Sequence, residues 1–328
     1  MTYQENYQKW VNFAELPDYL RQDLENMDEK TKEDAFYTNL EFGTAGMRGL
    51  IGAGTNRINI YVVRQATEGL ARLIESKGGN EKERGVAIAY DSRHFSPEFA
   101  FESAAVLAKH SIKSYVFESL RPTPELSFAV RHLNCFAGIM ITASHNPAPF
   151  NGYKVYGEDG GQMPPHDADA LTTYIRAIEN PFAVEVADVE AEKASGLIEV
   201  IGEAVDAEYL KEVKDVNINP ALIEEFGKDM KIVYTPLHGT GEMLARRALA
   251  QAGFDSVQVV EAQATPDPTS QLLSLLTQKA KQPLPLLKNL VVKLVLMYLS
   301  QLTLMLTVLV LKSFKKMAAT STFQVTKL

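Results

Sequence analysis

Ala137-Gly138-Ile139-Met140-Ile141 runs directly into Thr142-Ala143-Ser144-His145-Asn146-Pro147. The first five residues form a short apolar run of the kind that fills a strand buried on both faces, as in a parallel sheet. Asn146-Pro147 marks the turn that follows. Such strands belong to α/β folds, and in open α/β sheets reactive groups gather at the carboxyl ends of strands. Ser144 stands at that end. It sets a hydroxyl nucleophile beside the His145 imidazole. An amine, Lys154, follows ten residues on in Asn151-Gly152-Tyr153-Lys154-Val155-Tyr156. Those are parts for moving a phosphoryl group through serine.

Working outward, residues 1–40 read as a helical, acidic extension around Trp10-Val11-Asn12-Phe13. A glycine-rich loop follows, Gly43-Thr44-Ala45-Gly46-Met47-Arg48-Gly49, and then the spacing of Val62, Val63, Ala66 and Leu70 predicts a helix. Val86–Tyr90 reads as a strand leading through Asp91-Ser92-Arg93 into a helix that opens near Ser96, with Pro97 at its first position. Ser114–Phe117 is the next strand. Strand alternating with helix predicts a mixed, mainly parallel sheet covered by helices. The irregular, charged stretch from about Ala183 to Val205 reads as a linker or domain edge. Beyond it a second βαβ unit is predicted: a helix near Ala207–Val213, a strand Lys231–Tyr234, the loop Thr235-Pro236-Leu237-His238-Gly239-Thr240-Gly241, a helix Met243–Ala252 and a strand Val257–Val260. The expected division is 1–205 as one complete domain, 206–268 as part of a second, and 269–328 as a tail that is no native domain.

The chain has 328 residues, room for two domains. Its one cysteine, Cys135, excludes an internal disulfide and fits a reducing compartment. No secretory signal is visible at the N-terminus, so a cytoplasmic location is expected. The net charge of −8 argues against a nucleic-acid surface but not against small anionic ligands. That charge conceals a break. All 41 acids precede Thr269, while eight of the 33 lysines and arginines follow it, leaving residues 1–268 at net −16. From Thr269 to Leu328 there is no Asp, Glu, Arg, His or Gly, which is foreign to the end of an α/β enzyme.

Three segments together resemble the α-D-phosphohexomutase superfamily, specifically its phosphoglucomutase/phosphomannomutase members with a long helical N-terminal extension. The T-A/G-S-H-N-P loop of that family matches Thr142–Pro147 and its N-G-Y/F-K matches Asn151–Lys154; G-T-x-G-x-R-G matches Gly43–Gly49, and T-P-x-H-G-x-G matches Thr235–Gly241. The resemblance covers residues 1–268. It implies an isomerase of the intramolecular phosphotransferase type, in which phosphorylated Ser144 gives its phosphate to glucose 1-phosphate, forms a bisphosphate and recovers the other phosphate. His145, Lys154 and Arg48 are implied as catalytic, with general acid/base work and phosphate holding undivided between His145 and Lys154. Thr44, Gly46, Arg93, Asn146, His238 and Gly239 are implied to meet substrate or phosphate. Mg²⁺ is the implied cofactor, bound by the phosphoserine, with glucose 1,6-bisphosphate as activator and sugar phosphates as partners. No nucleic-acid partner is implied, and no membrane, although the apolar tail could associate non-specifically. Mannose and pentose phosphates are alternative substrates. Taken alone, Arg48 reads as a surface arginine, the three glycines as a turn cluster, Lys154 as a solvated strand-end lysine and His238 as a loop residue. Only Ser144 stands on its own.

The family's D-P-D-A/G-D-R magnesium loop is absent from the chain, as are its G-E-x-S-G sugar loop and its fourth domain. Read one nucleotide out of register, however, Leu296–Val308 yields Asp-Val-Leu-Val-Ala-Thr-Asp-Pro-Asp-Ala-Asp-Arg with permitted wobble bases, the missing strand and loop. Residues 269–328 are therefore expected to be out-of-frame translation after loss of one base near codon 269. The competing reading makes Leu294–Leu311 a membrane helix, but Ser300, Gln301, Thr303 and Thr307 interrupt it. A fragment that only binds phosphate or a partner is the alternative function. A serine hydrolase is a poor third, because no G-x-S-x-G elbow surrounds Ser144.

Overall fold

The computed structural model describes residues 2–43, 46–269 and the backbone of 307–311. The chain divides into two compact units, with residues 1–209 in the first and 210–266 in the second.

The first unit opens with three short helices, α1 (Tyr3–Val11), α2 (Asp18–Asn26) and α3 (Glu29–Phe36). Thr2 and Glu5 form a reciprocal capping box at the start of α1, which satisfies amides the first turn leaves open. These helices bury Trp10, Leu20, Leu24 and Phe36 as a cluster of their own, joined by Tyr61. Trp10 meets Phe36, Tyr61 and Phe182 edge-on.

Next come β1 (Met47–Leu50), α4 (Ile60–Lys77), α5 (Glu81–Arg84), β2 (Val86–Tyr90), α6 (Ser96–Lys109), β3 (Ser114–Phe117), α7 (Thr123–His132), β4 (Ala137–Ile141), β5 (Phe150–Tyr156), α8 (Pro165–Arg176), α9 (Val189–Ser195) and β6 (Ile198–Ile201). The strands form one six-stranded sheet in the order β1-β5-β4-β2-β3-β6. β2 runs parallel to β3 and β4, and β3 parallel to β6, whereas β5 is antiparallel to both β4 and β1. Alternation along each strand feeds two cores. Val86, Ile88, Ile139 and Ile141 join Val62, Val63, Ala66 and Leu70 of α4 and Phe99 of α6 on one face. Ala87, Ala89 and Met140 join Leu126, Ala129 and Val130 of α7 on the other. The predicted mixed, mainly parallel sheet covered on both faces is what forms. α6 begins at Ser96, which makes Pro97 its second residue.

The stretch expected to be an irregular linker holds α9 and β6, and β6 adds the edge strand beyond β3. Its Ile198 and Ile201 are buried while Glu199 and Val200 face out, a pattern too short to announce a strand.

α10 (Glu203–Asp215) leads into the second unit, which continues with α11 (Pro220–Phe226), β7 (Lys231–Thr235), α12 (Glu242–Ala252), β8 (Ser256–Val259) and β9 (Thr307–Leu311). β7 and β8 pair in parallel, as the predicted βαβ unit requires. β9 lies antiparallel on the other side of β7, from Thr235↔Thr307 to Lys231↔Leu311. The expected out-of-frame tail and the alternative membrane span at 294–311 otherwise lie outside the described residues. Among the described residues no helix is long and apolar enough to cross a membrane.

Leu70 is fully buried in the α4 face. Leu70→Ala is expected to lower unfolding free energy by about 2–5 kcal/mol, read as a lower urea midpoint at unchanged slope.

Candidate functional site

The site is built where β2 and β4, neighbours in the sheet, both end. The Ile141 carbonyl accepts from Asp91 N–H (3.1 Å), so the two strand ends leave the sheet level with each other. After β4 the chain makes a loop and returns as β5, with Ile141 opposite Tyr153 and Thr142 N–H donating to the Gly152 carbonyl at 3.0 Å.

Ser144 sits in this loop with φ +58°, a left-handed conformation that non-glycine residues adopt at a cost. Its N–H donates to Thr142 Oγ1 at 2.9 Å, and its Oγ lies 3.4 Å from His145 Nδ1. Thr142 is buried, Ser144 half-buried and His145 exposed. The local fold therefore puts the hydroxyl at the surface on a tethered backbone.

Arg48, on β1 opposite Gly152, is exposed and donates through Nη1 to Asn146 Oδ1 at 2.7 Å. Lys154, on β5 opposite Met140, is half-buried. Burial, with the positive charge of Arg48 added, pushes its ammonium below the usual lysine value, and the charge of Asp91 opposes the shift. Ser144, His145, Asn146, Arg48 and Lys154 are thus on one group of adjoining segments. Gly46 has φ +77°, and a Cβ there would meet the Tyr153 carbonyl at 2.3 Å. Its role in this fold is to let the chain before β1 lie against β5.

Arg93, implied by the resemblance to meet substrate or phosphate, packs against the backbone of the Ser144 loop. Its guanidinium is buried, and Nη1 donates to the carbonyls of Pro147 and Phe150 while Nη2 donates to those of Ser144 and Asn146. All four Nη hydrogens are committed to backbone, and the fifth donor, Nε, is buried on the side of Asp91 without a hydrogen bond. Asp91, which the sequence did not single out as a site residue, faces Arg93 Nε at 3.3 Å. Its Oδ1 accepts from Arg93 N–H at 2.9 Å and Ser96 Oγ at 2.8 Å. Burial raises the Asp91 carboxyl, with Thr142, Arg93 and Ser96 holding it back. The signal available was position: Asp91-Ser92-Arg93 follows a strand that neighbours β4.

Thr44 lies outside the described residues. His238 and Gly239 belong to the second unit. There the His238 Nδ1 lies 2.7 Å from the Thr265 carbonyl, His238 itself is buried at φ +61°, and Gly239 N–H donates to the Pro236 carbonyl.

A phosphoserine at position 144 would give Mg²⁺ one set of oxygens, but a hard cation needs several. Among the described residues no three His, Cys, Asp or Glu side chains converge as a metal cage, and Asp91 is engaged with Arg93. These residues do not fit Mg²⁺ by themselves. What they can supply is a nucleophilic hydroxyl, an imidazole beside it, a guanidinium for anionic oxygens and an amine that loses its proton early.

Comparison with known proteins finds relatives over most of the chain. The pattern of phosphoglucomutase/phosphomannomutase, alpha/beta/alpha domain I, matches residues 39–182, and that of domain II matches residues 207–294. A Staphylococcus epidermidis phosphoglucomutase is 40% identical over 243 residues, 74% of this chain and 43% of that one. A Staphylococcus aureus phosphoglucomutase is 38% identical over 238 residues, 72% and 41% of the respective chains. The chain thus spans less than half the length of these curated relatives. Among solved structures, a Thermus thermophilus protein assigned as a phosphomannomutase superposes with a TM-score of 0.58 at 25% identity, covering 71% of this chain and 48% of that one. Parafusin, a phosphoglucomutase of Paramecium, shares the fold with a TM-score of 0.54 at 18% identity over 71% and 45%.

Two outcomes follow from the site's packing. A Cβ at Gly152 would meet the carbonyls of Thr142 at 2.6 Å and Met47 at 2.7 Å. Gly152→Ala is expected to cost about 1–3 kcal/mol in urea unfolding, since backbone on both sides must move. Lys154 binds its proton less tightly folded than unfolded, so the unfolded chain carries more protons as pH approaches the ordinary value of 10.5. Stability contributed at this residue rises with pH across that window. Lys154→Met is expected to raise the urea midpoint at neutral pH and to flatten its rise toward pH 10.5.

Proposed function

We propose, for a chain that belongs to the phosphoglucomutase/phosphomannomutase family, that Ser144 is the phosphoryl carrier in the interconversion of glucose 1-phosphate and glucose 6-phosphate. The observation that carries this reading is Ser144 itself, at the carboxyl end of β4 with its backbone tethered and its Oγ beside His145 and near the Arg48–Asn146 contact. In the forward half-reaction a sugar hydroxyl oxygen bonds to phosphorus as the bond from Ser144 Oγ to phosphorus breaks. The hydroxyl proton leaves to a base, and Ser144 Oγ recovers a proton. In the second half-reaction Ser144 Oγ gives up its proton to a base and bonds to the other phosphorus of the bisphosphate as the bond from the sugar oxygen breaks, and that oxygen takes up a proton. Such transfers rest on alignment and on neutralising oxygen charge. Arg48 supplies charge in a planar fork. His145 and Lys154 share the proton work, and the depressed Lys154 ammonium supports its part.

Glucose phosphates are favoured over mannose and pentose phosphates by the phosphoglucomutase relatives, which are about 40% identical. Mg²⁺ would offset phosphate charge, and the aspartates to hold it are those of the loop recovered only out of register from residues 296–308. The chain is therefore read as carrying the nucleophile of the reaction without turning it over. The match to domain II runs to residue 294, which counts against a break in frame as early as codon 269. DNA across that region decides the matter, because a shifted frame unable to encode the aspartate loop sinks the frameshift account.

Incubation with glucose 1,6-bisphosphate and Mg²⁺, followed by peptide mass spectrometry, is expected to place phosphate on Ser144 and to find none in Ser144→Ala. Label on another residue, or none, overturns the carrier assignment. A coupled mutase assay on this chain is expected to show no turnover. Clear turnover would overturn the reading of a carrier without its metal loop, and with it the alternative of a fragment that only binds phosphate.

A further inference from the structure

We propose that Arg93, with Asp91 and Thr142, is a positioning residue that holds the Ser144 loop by its backbone and takes no part in binding phosphate. The inference rests on Ser144 being the phosphoryl carrier.

Each polar backbone group of Ser144 is met by a side chain, one from its own loop and one from the loop after β2. The N–H goes to Thr142 Oγ1 at 2.9 Å, and the carbonyl accepts from Arg93 Nη2 at 2.8 Å. Both bonds hold the backbone of a residue that sits at φ +58°. The same guanidinium reaches Asn146 O at 2.6 Å and both Pro147 O and Phe150 O at 3.0 Å. One planar group thus brackets the loop from its nucleophile to the first residue of β5.

The guanidinium is itself fixed. Asp91 Oδ2 lies 3.3 Å from Nε, and Asp91 Oδ1 takes the Arg93 N–H and the Ser96 hydroxyl. Asn151 Nδ2 donates to Ser96 Oγ at 2.9 Å and to the His94 carbonyl at 3.0 Å, which ties the start of β5 to the start of α6. The bonds form a closed circuit: Asp91 to Ser96, Ser96 to Asn151, back along the loop to Arg93, and across to Asp91. Arg93 is only 6% exposed. Its charge is answered by Asp91, so the charge of a phosphate on Ser144 falls to groups outside the pair. A lysine in its place keeps the charge but has three donors on a flexible stem and cannot span four carbonyls.

The test uses a thiol reporter. Cys135 is fully buried and its thiol is pushed up to about 12, so Ser144→Cys adds the one thiol that iodoacetamide reaches. Alkylation rate against pH is measured in Ser144→Cys alone and combined with Arg93→Lys, Arg93→Met, Thr142→Val or Thr142→Ser. Arg93→Lys and Arg93→Met are expected to displace the profile alike, changing the rate at fixed pH by about fivefold or more, the factor equivalent to one net hydrogen bond of about 1 kcal/mol. Thr142→Val is expected to do the same, and Thr142→Ser to restore the parent profile. A lysine variant that keeps the parent profile while methionine loses it shows that charge alone matters and overturns the proposal. So does a valine variant that behaves as the parent, or a serine variant as altered as valine. Should circular dichroism show the Arg93 variants unfolded, the near-isosteric Thr142 pair decides the question. Alkylation needs no sugar phosphate, so a Ser144 that never accepts phosphate defeats the carrier assignment and leaves this result standing.

Discussion

The buried Asp91–Arg93 pair is the constraint on which the rest of the site depends. The pair itself is local to the loop after β2, and it reaches the Ser144 loop because the sheet brings the end of β2 beside the end of β4, although α6, β3 and α7 separate them in sequence. Burying a carboxylate and a guanidinium is costly, and only good geometry with further hydrogen bonds offsets it. Here both groups have those bonds, the carboxylate from Ser96 and the Arg93 amide, the guanidinium to four carbonyls. Removing either partner leaves the other charged and unanswered in a buried site, a change that costs about 3–5 kcal/mol in buried pairs.

Much of this fold was legible because its core strands are wholly apolar and its helices periodic. Val86–Tyr90, Ala137–Ile141 and the α4 face read correctly, and the structure buries all of them. β6 was not legible, since an edge strand of four residues with Glu199 and Val200 outward looks like charged loop. The place of Ser144 after a buried strand was legible from its motif and from the apolar run before it. The role of Arg93 was not. An arginine at a strand end reads equally as phosphate ligand or loop bracket, and only the carbonyls its Nη groups meet in the structure distinguish the two. Gly46 illustrates the same limit, because its necessity arises from the Tyr153 carbonyl of a strand more than a hundred residues away.

The division of charge follows from this arrangement. Arg93 and Asp91 answer each other inside the loop, while Arg48 at the surface and the half-buried Lys154 remain to face an anion. The second unit contributes its own βαβ framework, with His238 held in a strained turn by the Thr265 carbonyl. The described residues thus furnish a serine hydroxyl on a tethered loop and cationic neighbours, on a chain that spans 43% of a curated phosphoglucomutase. They do not furnish the oxygen donors a magnesium ion requires.

The central claim is that the loop presents Ser144 to cationic neighbours as a phosphate carrier, and phosphorus NMR of the Ser144-phosphorylated chain tests it most directly. A free phosphoserine gives up its second proton at about pH 6. With Arg48 and Lys154 facing the group, the Ser144 phosphorus resonance is predicted to titrate clearly below that value, and Arg48→Met to move it back upward. A resonance that titrates at or above about pH 6, as in an unstructured peptide, would contradict the account.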